Sequence, residues 1–116
     1  MAAGRAHDYG FAGTPEETSR WVNENLLVIP MIEEVEAVKN LDEILAVPGI
    51  DVLHCAASDL RQSMGNAPAA EVRATMLDVV RRVRAAGRWA GVGGNSAREP
   101  AAVAELIRAG ANFVTI

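Results

Sequence analysis

The chain has 116 residues, of which 50% are hydrophobic and 22% are charged, and its formal net charge is −4. This composition predicts one folded globular domain, and the negative charge argues against a nucleic-acid partner, which usually needs a basic surface. No apolar run approaches the ~20 residues of a membrane span, no secretory signal is visible, and the single Cys55 favours a reducing cytoplasm.

The first elements in chain order are a helix and a strand. Residues 1–13 are rich in Ala and Gly and are predicted to form a loop. Thr14-Pro15-Glu16-Glu17 combines a cap, a first-turn proline and a capping-box glutamate, which predicts a helix that runs to about Asn25. A strand follows near residues 26–33. Pro30 cannot donate to a ladder, so it marks a bulge or a strand that ends early.

A second helix and strand come next. Apolar residues recur at helical spacing from Val35 to Leu45, and Asn40 can restart the helix as a second cap. Pro48-Gly49 stops it. A second strand is predicted near residues 51–58, and residues 60–68 are predicted to form a loop, with Gly65 and Asn66 as turn residues.

The last part of the chain continues the alternation. A long helix is predicted to present an apolar face and to end at Gly87, and Pro100 begins another helix that Gly110 closes. Strands are predicted near residues 89–92 and 112–116. The apolar face of the long helix comprises Val72, Met76, Val79, Val80 and Val83.

This order, a helix followed by β-α-β-α-β-α-β, predicts a parallel α/β sheet. Two architectures fit this order: an open doubly wound sheet, or part of an eight-stranded barrel, which typically needs ~250 residues.

Two of the predicted strands end in a carboxylate. Glu33 follows the first strand and Asp59 follows the second. Parallel neighbours lie roughly 4.8 Å apart, so two acids at the same edge could reach one divalent cation. The alternative is a pair of solvated acids at helix starts, where negative charge favours the helix dipole. Glu34 is a rival ligand, although we expect it to point to solvent.

Other reactive-looking residues have simpler interpretations. His54 and Cys55 are adjacent on a strand, so they face opposite sides and are predicted to pack rather than to act together. Gly91-Val92-Gly93-Gly94 could cradle an anion between a strand and a helix, but the run lacks the spacing of a nucleotide-binding fingerprint, so a tight turn is predicted. Arg81, Arg82 and Arg84 are interpreted as a solvated helix face.

Short blocks of residues along most of the chain resemble the HpcH/HpaI aldolase and citrate-lyase family. The similarity covers the chain from about Leu26 onward, and the spacing of so many blocks makes it specific. The blocks are Met31-Ile32-Glu33, Glu36-Ala37-Val38, Asn40-Leu41-Asp42-Glu43-Ile44-Leu45, Val47-Pro48-Gly49-Ile50-Asp51, Ser58-Asp59-Leu60, Ser63-Met64-Gly65, Arg84-Ala85-Ala86-Gly87-Arg88, Ala90-Gly91 and Gly110-Ala111-Asn112-Phe113-Val114.

The resemblance implies a fold and a chemistry. It implies the C-terminal half of a (β/α)8 TIM barrel, of the phosphoenolpyruvate/pyruvate barrel superfamily. It also implies a metal-dependent class II aldolase (a lyase), which releases or adds pyruvate and acts on 4-hydroxy-2-oxo acids. By the match, Glu33 and Asp59 ligate the metal, and the backbone amides of Ser58 and Asp59 hold the pyruvate carboxylate. Carboxylate ligands suit Mg²⁺ or Mn²⁺, with Co²⁺ as a further candidate.

The sequence departs from the family pattern in three respects. Ala56-Ala57 stand where the family usually has Gly-Pro, and Met31 stands where better-known members have glutamine. The family's catalytic arginine and its His/Asp partners come from the first half of the barrel, so no catalytic base is assigned here. The alternative to an enzyme is a non-catalytic half-barrel module that works only by association. Unpaired strand edges favour a homo-oligomer in either case.

Overall fold

The computed structural model describes residues 13–94 and 99–115. Four parallel strands form one sheet in the order β1-β2-β3-β4, with helices in the connections. The predicted parallel α/β architecture is therefore confirmed. The elements are α1 (Pro15–Asn25), β1 (Met31–Ile32), α2 (Val35–Lys39), α3 (Leu41–Leu45), β2 (Val52–Ala56), α4 (Ala57–Ser63), α5 (Ala69–Ala85), β3 (Trp89–Gly93), α6 (Pro100–Arg108) and β4 (Phe113–Val114).

Helix α1 begins with the predicted capping box. The Glu17 amide donates to the Thr14 hydroxyl at 3.2 Å, and the Thr14 amide donates to the Glu17 carboxylate at 2.9 Å. Satisfying both amides stabilises the first turn, where N–H groups have no intrahelical acceptor. No residue of α1 is buried, and Trp21 is 64% exposed. The helix is thus locally encoded rather than held by the core.

The first strand is much shorter than its apolar sequence predicts. We expected a strand near residues 26–33, but β1 contains only Met31 and Ile32, and the stretch from Leu26 to Val28 is exposed without regular structure. Pro30 still takes part, because its carbonyl accepts a hydrogen bond of 2.9 Å from the His54 amide. Pairing with β2 therefore begins only at the proline, so the strand starts late at Pro30 instead of ending early there, as we had expected.

A short helix replaces the loop that was predicted after the second strand. Strand β2 ends at Ala56, and α4 occupies residues that we assigned to the strand end and to the loop at 60–68. Ala56 caps α4 without a side-chain hydrogen bond, so the sequence carries no start signal. The stop signal is present, because Gly65 and Asn66 both adopt positive φ. Burial of Leu60, which is 0% exposed, holds the helix against the sheet.

The helical segment before β2 is divided at Asn40. Asn40 lies between α2 and α3 as expected, but its side chain does not cap α3. Its amide instead donates to the Glu36 carboxylate at 3.3 Å. The predicted second cap is therefore wrong in its hydrogen bond, although the break is where it was expected. The fourth strand is also shorter than predicted, and Ile116 lies outside the described residues.

Helix α5 is the main cover of the sheet, and the predicted face is buried. Arg82, which we interpreted as solvated, instead joins α5 to the preceding helices. Its guanidinium donates to the Asp42 carboxylate at 2.8 Å and to the Val38 carbonyl at 3.3 Å. The hydrogen bond with Asp42 raises the pKa of Arg82 further above its usual value. The five buried residues of this face are Val72, Met76, Val79, Val80 and Val83.

The two faces of the sheet differ sharply. The outer face packs under the helices in a continuous core, which contains Ile32, Leu53, Cys55, Ala90 and Val92. The inner face carries a row of residues in register across the four strands: Met31, His54, Gly91 and Phe113. Met31 is 50% exposed and Phe113 is 43% exposed. The inner face therefore has no packed layer among the described residues.

A glycine ends α5 in the way the sequence predicts. Gly87 has φ +74°, and the Arg88 amide donates to the Val83 carbonyl at 3.1 Å in a Schellman-type closure. An added Cβ at Gly87 would meet no atom within 4 Å, so only the backbone conformation opposes a side chain there.

Replacing Gly87 by alanine should lower the free energy of unfolding by about 1 kcal/mol, because alanine pays the left-handed penalty. Gly87→Asn is the matched control and should lose less, since asparagine tolerates this conformation. The measurement is the midpoint of urea unfolding for the three proteins. Equal stability of the alanine variant would contradict the conformational argument.

Candidate active site

The carboxyl edge of the sheet brings the two predicted acids together. Ile32 is in register with Cys55, so Glu33 leaves β1 at the edge where β2 passes into α4. Asp59 lies in the first turn of α4. The side chains of this region surround an open cleft of ≈ 650 Å³, which is lined by Glu33, Glu34, Asp59, Gln62 and Ser63.

A hydrogen bond ties the two walls of this cleft to each other. The Val35 amide at the start of α2 donates to the Ser63 hydroxyl at the end of α4, at 2.9 Å. Glu34 is exposed, as expected, and its backbone forms the N-cap of α2. It nevertheless lines the cleft, so the structure leaves it as a second acidic neighbour of Glu33 rather than an unrelated surface residue.

The acids of the cleft do not form a complete metal cage by themselves. Among residues 13–94 and 99–115, no group of three or more His, Cys, Asp or Glu side chains is arranged to hold a metal ion. Glu33 and Asp59 could supply two hard oxygen ligands, which is the donor type that Mg²⁺ and Mn²⁺ prefer. Such an ion would complete its coordination with water and with oxygens of a bound small molecule.

Ser58 and Asp59 occupy a helix start rather than the strand end that the sequence suggested. The first N–H groups of a helix have no intrahelical acceptor, so those of Ser58 and Asp59 need a partner from outside α4 at the carboxyl edge. The Ser58 hydroxyl also donates to the Gly94 carbonyl, at 3.4 Å. This contact joins the start of α4 to the end of β3, where Gly94 adopts φ +69° in a turn. The neighbouring Asn95 and Ser96 lie outside the described residues.

His54 and Cys55 are both buried, on opposite faces of β2 as predicted. Cys55 lies in the outer core, and burial raises the pKa of its thiol to about 12, which removes it as a nucleophile. His54 lies on the inner face with its ring edge toward Phe113, at 5.6 Å between ring centroids. Burial lowers the pKa of His54, so its imidazole is neutral at pH 7. The two residues therefore do not cooperate in catalysis.

Sequence reasoning missed two features near this edge. One is a second cavity of ≈ 450 Å³ behind α4, whose lining includes Ser58, Arg61 and Arg73. Both arginines are already engaged, Arg61 with the Ala67 carbonyl at 3.2 Å and Arg73 with Glu105 at 3.9 Å. The other is Thr115, whose hydroxyl lies 3.3 Å from His54 Nε2. Strand alternation after Phe113 is the signal that could have found it.

Comparisons with known proteins identify the family and the fold of this chain. Residues 7–116 match the family model described as HpcH/HpaI aldolase/citrate lyase. A 2-keto-3-deoxy-L-rhamnonate aldolase of Escherichia coli K12 is 37% identical over 107 residues, which cover 90% of this chain and 39% of that protein. The chain thus spans about two fifths of the length of the curated relative.

Two solved structures share the fold. An HpcH/HpaI aldolase/citrate lyase family protein from Burkholderia cenocepacia J2315 superposes with a TM-score of 0.80 at 25% identity, covering 100% of this chain and 44% of that one. The citrate synthase SbnG superposes with a TM-score of 0.70 at 24% identity, covering 99% of this chain and 48% of that one. At this identity the similarity indicates a shared fold and carries no information about function. The α/β segment therefore corresponds to part of a TIM-barrel-like fold.

The described helices include none that is long and apolar enough to cross a membrane. The family match runs over nearly the whole sequence, and the aldolase relative exceeds 30% identity across most of this chain. On these grounds the chain belongs to the HpcH/HpaI aldolase/citrate lyase family.

Proposed function

We propose that this chain is the C-terminal half of a divalent-metal-dependent class II aldolase. The reaction is cleavage or formation of 4-hydroxy-2-oxo acids, with pyruvate as the keto product, in the cytoplasm. The observation that supports it most directly is the common cleft of Glu33 and Asp59 at the carboxyl edge of the sheet. Barrels of this architecture carry their active sites at that edge, and an aldolase-type lyase is what the family and the E. coli relative indicate.

Three residues at the carboxyl edge, Glu33, Ser58 and Asp59, have a defined part in this proposal. Glu33 and Asp59 hold Mg²⁺ or Mn²⁺, with Co²⁺ as a further candidate, through carboxylate oxygens. When bound, such a cation supplies Lewis-acid stabilisation of negative charge on the substrate. The amides of Ser58 and Asp59 hold the carboxylate of the 2-oxo acid, which the positive end of a helix dipole also favours. Their place in the first turn of α4 supports this part.

The proton-transferring base is proposed to lie outside this chain. The cleft offers the carboxylates of Glu33, Glu34 and Asp59, an amide and a hydroxyl. Two of those carboxylates are assigned to the cation. The nearest imidazole in sequence, His54, is a buried neutral ring on the inner face. A base from the first half of a barrel would approach the cleft from that inner side.

A second candidate function is a half-barrel that acts only by association. It is favoured by the inner face, where Met31 is 50% exposed and Phe113 is 43% exposed, because parallel sheets normally have both faces covered. A homo-oligomer is proposed in this case. Reading the coding sequence upstream of Met1 separates the two functions, since four further β/α units with an arginine would favour the enzyme.

Metal binding is the first test. Titration with Mn²⁺ should show saturable binding, and Glu33→Gln and Asp59→Asn should each weaken it by at least about tenfold, because a charged oxygen ligand is lost. Glu34→Gln is the matched control in the same cleft and should weaken binding less. Equal weakening by all three variants would indicate general attraction to an acidic surface rather than ligation by Glu33 and Asp59.

The departures from the family pattern give a second test. Replacing Ala56-Ala57 by Gly-Pro and Met31 by Gln should tighten the binding of oxalate, which mimics the enolate of pyruvate. The expected reason is restored contact with the carboxylate and keto side of the ligand. Isothermal titration calorimetry with Mn²⁺ present measures the change. An unchanged dissociation constant for oxalate would show that these departures do not affect binding of the pyruvate part of the substrate.

Behaviour of the isolated 116-residue chain is the third test. We expect it to dimerise or to be poorly soluble, because the inner face and the edges of β1 and β4 lack partners within the described residues. We also expect no pyruvate release with Mn²⁺, since the base is missing. Light scattering and a coupled pyruvate assay test both. A compact inactive monomer would contradict the association, and an active chain would contradict the external base.

A further inference from the structure

The buried imidazole of His54 is the least expected feature of the inner face. It is the one buried polar side chain among the described residues, and it is 7% exposed. Its Nδ1 has no hydrogen-bond partner in this part of the chain. An unsatisfied buried polar atom costs about 1–3 kcal/mol. An apolar ring would avoid this cost, so the imidazole needs a reason beyond packing.

Two glycines on β3 make room for this ring. A Cβ at Gly91 would lie 2.6 Å from His54 Nδ1. A Cβ at Gly93 would overlap both His54 Nε2 and the Thr115 hydroxyl. Neither position can carry a side chain while the ring stays where it is. The space that holds the His54 ring is therefore formed by three strands together, with Thr115 as its polar neighbour at 3.3 Å.

The groups around the ring also favour one tautomer of His54. The Cα hydrogen of Gly91 stands where a Cβ would be, so it points at Nδ1. A C–H group is a weak donor, which favours a lone pair on Nδ1 rather than a proton. The buried ring is neutral and carries one N–H. That proton is therefore on Nε2, which donates to the Thr115 hydroxyl oxygen, and the hydroxyl hydrogen of Thr115 is directed elsewhere.

Thr115 faces the carboxyl edge of the inner face. Its amide donates to the Val92 carbonyl at 3.0 Å, one step beyond the last aligned pair of β3 and β4, so Thr115 stands beside Gly93. Gly93 is itself in register with Ala56. Alternation on β1 places Glu33 in this same layer. Thr115 is exposed, so its hydroxyl is available at the edge that also carries the acidic cleft.

We propose that Thr115 donates a hydrogen bond to a hydroxyl group on the aldehyde-derived end of the substrate, with His54 as the positioning residue that fixes Thr115 as a donor. This inference rests on the aldolase function proposed above. Glu33 and Thr115 are three strand spacings apart, roughly 14 Å along the sheet and less across a curved one. Thr115 therefore meets the end of the substrate remote from its keto group.

The chemistry of the two inner layers selects a hydroxyl rather than a second carboxylate. One layer contains Glu33, Ala56, Gly93 and Thr115, and the layer beneath it contains Met31, His54, Gly91 and Phe113. Neither layer has a lysine or an arginine, and His54 is neutral. A charged tail would receive no counter-charge from these two layers, which is costly once the tail is removed from water. A hydroxyl needs only one donor or acceptor.

The kinetic test uses the full-length protein that the reading frame encodes. It compares two matched substrates, the pyruvate adducts of glyceraldehyde and of propanal. For Thr115→Val, the kcat/KM ratio of the hydroxylated over the plain substrate should fall about five- to tenfold. The loss should appear as a higher KM, because a remote contact is made equally in the ground and transition states. Thr115→Ser keeps the hydroxyl and should preserve the ratio.

Variants of His54 separate positioning from packing. His54→Phe should lower the same ratio as Thr115→Val, and the double variant should lower it no further, because one interaction is lost. His54→Gln places an amide N–H near the position of Nε2 and should restore the ratio. If His54→Phe slows both substrates alike, or if the ratio does not change, the inference is wrong. Wild-type protein that cleaves neither substrate would overturn this inference, whereas the proposed function is tested separately by the binding of Mn²⁺ at Glu33 and Asp59.

The tautomer gives a readout that is independent of activity. The chain has two histidines, so His7→Gln leaves the signals of His54 alone. Nitrogen-15 shifts of the imidazole at pH 7 should show a protonated Nε2 and a bare Nδ1. A protonated Nδ1, or a doubly protonated ring, would overturn the assignment of Thr115 as a donor even if the protein is an aldolase.

Discussion

The parallel pairing of β2 with both of its neighbours is the constraint on which the rest of the structure depends. Val52–Ala56 is in register with Trp89–Gly93 over five residue pairs, and β1 adds Met31 and Ile32 on the other side. Parallel strands all end at the same edge, so the segments after β1, β2 and β3 are brought together there. The acidic cleft is a consequence of this register rather than of any local motif.

The register also assigns every strand residue to one of two unlike environments. Cys55 and Val92 face the helices in a dry core, while their neighbours His54 and Gly91 face the inner side. A shift of one residue would exchange these sets and would put an imidazole into the outer core. The glycines of β3 reinforce the register, because the His54 ring fits only beside residues without a Cβ.

The geometry of the candidate site is held by the core through α4. Leu60 is 0% exposed and anchors this short helix, so the adjacent Asp59 is fixed at the edge although it is itself exposed. Hydrogen bonds from Val35 to Ser63, and from Ser58 to Gly94, connect the helix to the segments after β1 and β3. The half-buried Glu33 and the exposed Asp59 are thereby held at the same edge, which flexible loops would not do.

Local chemistry in the sequence determined much of this protein. The capping box at Thr14, the glycine stops at Gly87 and Gly110, and the apolar face of α5 are encoded by neighbouring residues, and they appear as predicted. The alternation of elements and the family blocks also indicated a parallel α/β half-barrel with Glu33 and Asp59 at one edge.

Contacts between residues distant in sequence decided the rest. Leu26–Val28 has the composition of a strand, but a strand needs a hydrogen-bonded partner, and pairing begins only at Pro30. Helix α4 lacks a start signal, and burial of Leu60 stabilises it instead. The packing of His54 against Gly91, Gly93 and Thr115 was likewise decided by tertiary structure, because it depends on three strands that pair in one register.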